Sequence, residues 1–479
     1  MSKELKQLGK ETAVYGISTI VGRFLNFLLV PFFTNIFSQA EYGIITNVFA
    51  YIAFFNVIYL YGMDSAYLKY ASTKEIANEK ETFSTAFNSV LLTSLLFSIL
   101  IVLFKSNLSK LFSLSNEDEI IVYFVSGILL FDAISNIIFA RLRFHNKAFV
   151  FAGIKIVNIV SNVILNIWLV YFLKFGPQGV FLSAFGASLI TFILLLKDIF
   201  KAYQFKINRN LIYALLRFGL PFIPAGTASI ITQVIDRPIL LALTDASTLG
   251  VYQANYKLGI FMMLFVSMFQ YAWQPFYLKH SMQENAKELF SKVLTYFVLF
   301  SSIVFILLSL FIEDLVKVKI GNFYFIGKDF WDGLYIVPVI LLGYLFNGLY
   351  IVFLAGIQIQ KKTQYMPLVS GLGAIVNVVA NFLLIPFMGM LGAAYATLFA
   401  YFTMAVYQYL LSQKFYPIKY EWKKIEYIAL SLIISFGGFL LAKNLLDVNL
   451  LLLKVLAILI FFVLLYILRL IRKLPSFKN

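Results

Sequence analysis

The chain has 479 residues, of which 61% are hydrophobic and only 13% charged, a composition that excludes an ordinary soluble globular protein. It contains no Cys, which excludes disulfides, thiolate metal sites and Cys nucleophiles. Its net charge of +16 raises nucleic acid as a partner, but the distribution of that charge along the chain argues against one.

Apolar runs of about 18–25 residues, long enough to cross a hydrocarbon layer, follow one another from end to end. They give about fourteen spans, near residues 12–36, 43–62, 82–104, 119–139, 148–172, 178–197, 212–236, 249–276, 293–312, 332–355, 365–386, 389–411, 425–445 and 450–469. The start, Met1-Ser2-Lys3-Glu4, leads into a full-length span, so no cleavable signal peptide is expected. Alternate connections carry roughly 26 Lys and Arg against roughly 7 on the other side, which predicts both termini in the cytoplasm. The only two His, His145 and His280, fall in short loops, which makes a His-based metal centre unexpected.

In chain order, span one carries Thr12, Gly16, Thr19, Arg23 and Asn26 on one helical face, with Pro31 beyond them. Span four contributes Asp132 and Asn136, one turn apart. Span five carries Lys155, Asn158, Asn162 and Asn166 as a polar stripe. Gly219, Pro221, Pro224 and Gly226 crowd span seven and predict a broken helix, which ends on Asp236-Arg237. Span eight presents Tyr252, Asn255 and Gly259 on one face with Lys257 near it. Span eleven repeats the stripe as Ala374, Asn377 and Asn381.

That last stripe reveals a duplication. Val157-Asn158-Ile159-Val160-Ser161-Asn162 recurs as Val376-Asn377-Val378-Val379-Ala380-Asn381. Tyr42-Gly43-Ile44 and Leu249-Gly250-Val251-Tyr252 open spans two and eight, and Ala66-Tyr67-Leu68-Lys69-Tyr70 and Phe276-Tyr277-Leu278-Lys279-His280 close them. Two six-span units of the same orientation are expected, related by an axis along the membrane normal. The boundaries are then 1–205 for an N-lobe, 206–415 for a C-lobe, and 416–479 for a terminal helix pair and tail.

A buried Arg, Lys or Asp costs about 2.5–3.5 kcal/mol at a helix centre, so several of them imply a wet or mutually paired interior. Arg23, Lys155 and Lys257 outweigh Asp132, and Asp236 roughly cancels Arg237, which leaves an interior suited to anions. The Asn stripes fit either interhelical hydrogen bonding or cavity lining. Asp132 fits either a counter-ion for Lys155 or a coupling group.

The run Gly373-Ala374-Ile375-Val376-Asn377, then Asn381-Phe382-Leu383-Leu384-Ile385-Pro386 and Gly389-Met390-Leu391-Gly392-Ala393-Ala394-Tyr395-Ala396-Thr397, resembles the polysaccharide-transporter family. These are the Wzx-type O-antigen and capsule-unit flippases of the MATE-like exporter superfamily. Gly22-Arg23, Phe37-Ser38-Gln39-Ala40-Glu41-Tyr42-Gly43 and Asp236-Arg237 are also similar to its pattern. The resemblance implies an all-α polytopic membrane protein in the cytoplasmic (inner) membrane, with two six-helix lobes forming a V around a cavity. The implied activity is flipping an undecaprenyl-pyrophosphate-linked oligosaccharide for surface polysaccharide assembly, beside a polymerase and chain-length machinery, rather than an enzymatic reaction.

In that reading Arg23, Lys155, Lys257 and Arg237 hold the pyrophosphate. Asn26, Asn158, Asn162, Tyr252, Asn255, Asn377 and Asn381 meet sugars or the cavity wall. Asp132 and Asp236 orient the cations or take a coupling H⁺ or Na⁺, and no cofactor is expected. The rivals are a cation-coupled multidrug exporter, a peptidoglycan-precursor flippase and a glycan polymerase or ligase. The outer loop near 313–331 offers the last of these only Glu313, Asp314, Asp329 and scattered Lys.

Overall fold

The computed structural model describes residues 22, 24, 27–204, 208–446 and 448–468. Apart from a two-residue antiparallel hairpin, Lys319–Ile320 with Phe323–Tyr324, the described residues are helical or connecting. The helices are α1 (Leu29–Ile36), α2 (Gln39–Leu60), α3 (Met63–Thr73), α4 (Glu79–Leu103), α5 (Lys105–Phe112) and α6 (Ile121–Phe144). They continue as α7 (Ala148–Asn166), α8 (Gly176–Ala202), α9 (Arg209–Gly219), α10 (Phe222–Val234), α11 (Asp236–Leu243), α12 (Ala246–Tyr256) and α13 (Ile260–His280). The remainder are α14 (Ala286–Val316), α15 (Val337–Ile359), α16 (Met366–Met388), α17 (Met390–Phe415), α18 (Trp422–Leu445) and α19 (Leu450–Ile467).

Among the described residues, 12 helices are long and apolar enough to cross a membrane. They match the expected spans except the first, most of which lies outside the described residues, and the eighth. The eighth runs as α12 and α13 joined by a 3-10 turn at Lys257–Gly259. Many helices overhang the apolar run that predicted them: α14 covers Ala286–Val316 where the run was 293–312. Helix propagation continues past the hydrocarbon because water-exposed turns still close their own backbone hydrogen bonds.

Span seven is broken, as Gly219 and Pro221 predict. α9 ends at Gly219, α10 starts after Pro221, and a further turn at Ile235 separates α11. Span two is broken too, which its sequence did not announce. Tyr61 and Gly62 sit at φ 35° and 72° between α2 and α3. The two breaks coincide: a Cβ on Gly62 would lie 2.5 Å from Gly219 O, and one on Gly219 2.8 Å from Tyr61 O.

The chain divides into two compact units, Met1–Ala254 with Asn377–Ala393, and Asn255–Val376 with Ala394–Asn479. In the first, α4, α6 and α8 enclose a core that includes Phe83, Val90, Leu129, Ile137 and Phe181. Ser98 and Ser126 cross-link α4 to α6 reciprocally, each hydroxyl donating to the other's carbonyl at 3.3 and 3.2 Å. In the second, Gly348 admits the Phe297 ring between α14 and α15, and α18 packs along α14. Ion pairs Lys443–Glu313 (2.9 Å) and Lys454–Asp314 fasten α18 and α19 to the end of α14.

Candidate functional site

Arg23 and Asn26 lie outside the described residues. Their neighbour Gly22 packs on α7, where a Cβ would stand 3.1 Å from Ile159 Cδ1, one turn beyond Lys155.

The polar stripe of α7 faces α6 and α8 because Asn and Lys must find partners away from lipid. Lys155 is half-buried with Nζ 4.3 Å from the centroid of the Phe139 ring. It interacts electrostatically with Asp132, yet it forms none of the ion pairs found among the described residues. Asp132 Oδ1 instead accepts from Ser188 Oγ at 2.8 Å. Asn158 donates to Ala187 O (3.0 Å) and Thr191 Oγ1 (2.8 Å), tying α7 to α8. Asn166 donates to the carbonyl and side-chain oxygens of Asn162.

The start of α11 supplies the second charged group. Asp236 is 3% exposed and its Oδ2 accepts from Tyr252 OH at 2.6 Å, while Oδ1 has no partner among the described residues. Arg237 is half-buried, with Nε unpartnered among the described residues, and lies within electrostatic reach of Asp236 and Tyr42. Asn377 and Asn381, in the same compact unit, are 1% and 0% exposed. Asn381 donates to both oxygens of Asn377 at 2.8 and 3.0 Å, leaving Asn381 Oδ1 and Asn377 Nδ2 without partners among the described residues. Buried acceptor oxygens without donors, as on Asp236 and Asn381, suit a proton or a cation.

Lys257 and Asn255 belong to the other unit. Asn255 is fully buried and donates to Phe330 O at 2.8 Å, anchoring the 3-10 segment Lys328–Ile336. Lys257 occupies the 3-10 turn that interrupts span eight and is half-buried. The structure therefore gathers Lys155, Asp132, Asn158 and Asn162 on neighbouring helices, and joins Tyr252 to Asp236.

Sequence reasoning missed two arrangements. One is a charge network that joins α3 and the start of α4 to the ends of α6 and α8: Glu79 Oε1 accepts from Tyr67 OH (2.8 Å) and Arg141 Nε (2.9 Å), Lys147 pairs with Asp198 (3.2 Å), and Arg143 with Asp64 (3.4 Å). The other is the crossing of α2 and α12, in which the paired glycines of the duplicated motif touch. A Cβ on Gly43 would fall 2.0 Å from Ala246 O, and one on Gly250 1.9 Å from Gln39 O. The motif Tyr42-Gly43 and its copy at Leu249-Gly250 was the available signal.

Comparison with known proteins agrees with this architecture. Residues 8–279 match the family described as polysaccharide biosynthesis protein. An uncharacterized membrane protein of Methanocaldococcus jannaschii is 24% identical over 481 residues, covering 91% of each chain. The lipid II flippase MurJ in an inward closed conformation shares the fold at TM-score 0.75 and 19% identity, over 95% of this chain and 98% of that one. An inward-facing multidrug resistance MATE family transporter of the MOP superfamily gives TM-score 0.63 at 13% identity, over 84% and 94%. The Vibrio cholerae MATE transporter VcmN D35N mutant gives 0.59 at 12%, over 86% and 98%. With a family match across more than half its length and a MATE-like helical fold, the chain belongs to the polysaccharide biosynthesis protein family, as a multi-pass membrane protein.

Proposed function

We propose that the protein flips undecaprenyl-pyrophosphate-linked oligosaccharide units across the cytoplasmic membrane by alternating access, for assembly of a surface polysaccharide such as O-antigen or capsule. The observation that carries this reading is the charge of the spans: Lys155 and Arg237 are half-buried cations outside every ion pair found among the described residues. Half-buried cations held outside ion-pair distance of any carboxylate among the described residues favour an anionic cargo, and Arg binds phosphate oxygens bidentately. Arg23 and Lys257 are the remaining candidates for holding pyrophosphate. Asn26, Asn158, Asn162, Tyr252, Asn255, Asn377 and Asn381 are the candidates for contact with sugars. The lobes 1–205 and 206–415 supply the two moving halves, with 416–479 as an accessory pair and both termini cytoplasmic.

Asp236, with one carboxylate oxygen open, is the proposed coupling group for H⁺ or Na⁺, and Asp132 orients Lys155. The crossing at Gly43 and Gly250 supports alternating access, because it shuts α2 against α12 at the ends expected to face outward.

A second reading is a peptidoglycan-precursor flippase, favoured by the fold shared with a lipid II flippase. A multidrug exporter has the MATE fold in its favour. Deletion and complementation separate the three. Loss of surface glycan restored by wild type and not by Lys155→Gln at equal protein level supports the first. Loss of viability points to the second, and drug sensitivity with normal glycan to the third.

A further inference from the structure

In the second compact unit, where α14 begins and α15 and α17 end, two aromatic rings carry three lysines. Lys362 Nζ and Lys414 Nζ lie 5.7 and 5.6 Å from the centroid of Phe415, and Lys287 Nζ lies 5.1 Å from that of Tyr416. The rings are held from behind: Phe415 packs on Tyr365 at 5.3 Å and Tyr416 on Phe290 at 6.5 Å. All three lysines are exposed, and none joins an ion pair among the described residues.

Positive charge at this end of the spans has a topological origin, but topology does not require it to stay unpaired. In the first unit, on the side likewise expected to face the cytoplasm, Arg141, Arg143 and Lys147 each have a carboxylate, from Glu79, Asp64 and Asp198. The lysines over Phe415 and Tyr416 have none. A ring beneath each ammonium restrains its long stem while its N–H donors stay open to an anion. The aromatic floor lies at the end of α17, the depth at which Tyr and other aromatics meet lipid headgroups.

We propose that Lys287, Lys362 and Lys414, on the floor made by Phe415 and Tyr416, bind the phosphate headgroup of an inner-leaflet membrane lipid. This is a site separate from the span cations, and it does not rest on the transport reading, because binding is measured without turnover. Juxtamembrane lysines attract anionic headgroups over a Debye length. Lys362 and Lys414 share the Phe415 ring and Lys287 stands over the ring of the next residue, Tyr416, which turns that diffuse attraction into a localised contact.

The test uses the full-length protein in nanodiscs, with lipid retention read by native mass spectrometry. The probes are phosphatidylglycerol, polyprenyl pyrophosphate, zwitterionic phosphatidylcholine and inorganic pyrophosphate. The K287Q/K362Q/K414Q variant is expected to lose roughly 10–100-fold in affinity for an anionic lipid. The K361Q/K419Q/K423Q variant removes the same charge at the same end and is expected to change less than about threefold. Preference for phosphatidylglycerol identifies bulk lipid as the occupant, and preference for polyprenyl pyrophosphate identifies a carrier lipid. Equal losses in both variants, or none in either, would overturn the site. Binding of inorganic pyrophosphate with the same lysine dependence and affinity would overturn its assignment to a lipid. Single variants Lys362→Gln and Lys414→Gln, each expected to lose about fivefold, carry the test if the triple variant does not fold.

Discussion

Gly43 and Gly250 hold α2 and α12 backbone against backbone: a Cβ on Gly43 would stand 3.0 Å from Gly250 N, and one on Gly250 3.1 Å from Gly43 N. The carbonyls opposite, Ala246 O and Gln39 O, are nearer still and equally reciprocal. Ser38 caps α2 through Glu41 N–H, and Asp245 caps the helix of its duplicate through Thr248 N–H. Two copies of one capped helix start therefore meet about a local twofold relation.

Any side chain at either glycine must push a backbone carbonyl away. Gly43→Ala and Gly250→Ala should each lower stability by about 1–3 kcal/mol, as overpacking does. Gly153→Ala, whose Cβ would meet nothing within 4 Å among the described residues beyond its own helix, should be neutral or stabilising. Thermal unfolding in detergent checks the contrast. Equal behaviour of all three variants would remove the crossing from the account.

The coincident breaks in spans two and seven predict coupling. Gly62→Ala carries both a left-handed φ and the contact with Gly219 O, so it should cost more than Gly219→Ala. Because each glycine opposes the other's backbone, the double variant should cost less than the sum, with a coupling of about 0.5–3 kcal/mol. Additive effects would show that the two breaks are independent.

Much of this architecture is legible in the sequence, and the limits are physical. Apolar run length marks the spans, and Gly219 with Pro221 marks the break in span seven. Gly62 gave no such warning, since a lone Gly at the end of an apolar run reads as a span end rather than a bend. Asn158 and Asn377 occupy matching places in the repeat yet make different bonds: Asn158 donates across to α8, whereas Asn377 accepts from Asn381 in its own helix. Arg141 and Glu79 are 62 residues apart, so their charges read as topology until the fold joins them.

Asp245 predicts a pH dependence. Hydrogen bonds from Thr248, first its backbone N–H and then its hydroxyl, hold this exposed carboxyl below the ordinary range. A lowered folded-state pKa adds stability above the unfolded value and loses it as pH falls through the folded one. Melting temperature should therefore drop below about pH 4 in a way that Asp245→Asn lessens. Asp245→Ala should cost about 1 kcal/mol at neutral pH.

Lys454 is 2% exposed and its partner Asp314 is the more open of the two. Asp314→Ala strands a buried ammonium, whereas Lys454→Met removes the charge that needs pairing. The first should destabilise by about 1–3 kcal/mol and the second by less. The reverse order, in thermal unfolding, would place the terminal helix pair under some other restraint.

The most direct measurement is transport in proteoliposomes loaded with polyprenyl-pyrophosphate oligosaccharide in one leaflet, read by enzymatic access to the glycan from the other side. Wild type should move the lipid-linked glycan, and Lys155→Gln and Arg237→Gln should slow it at least tenfold while retaining the folded state. Wild-type protein that leaves this lipid in place while exporting a cationic drug would contradict an anion carrier.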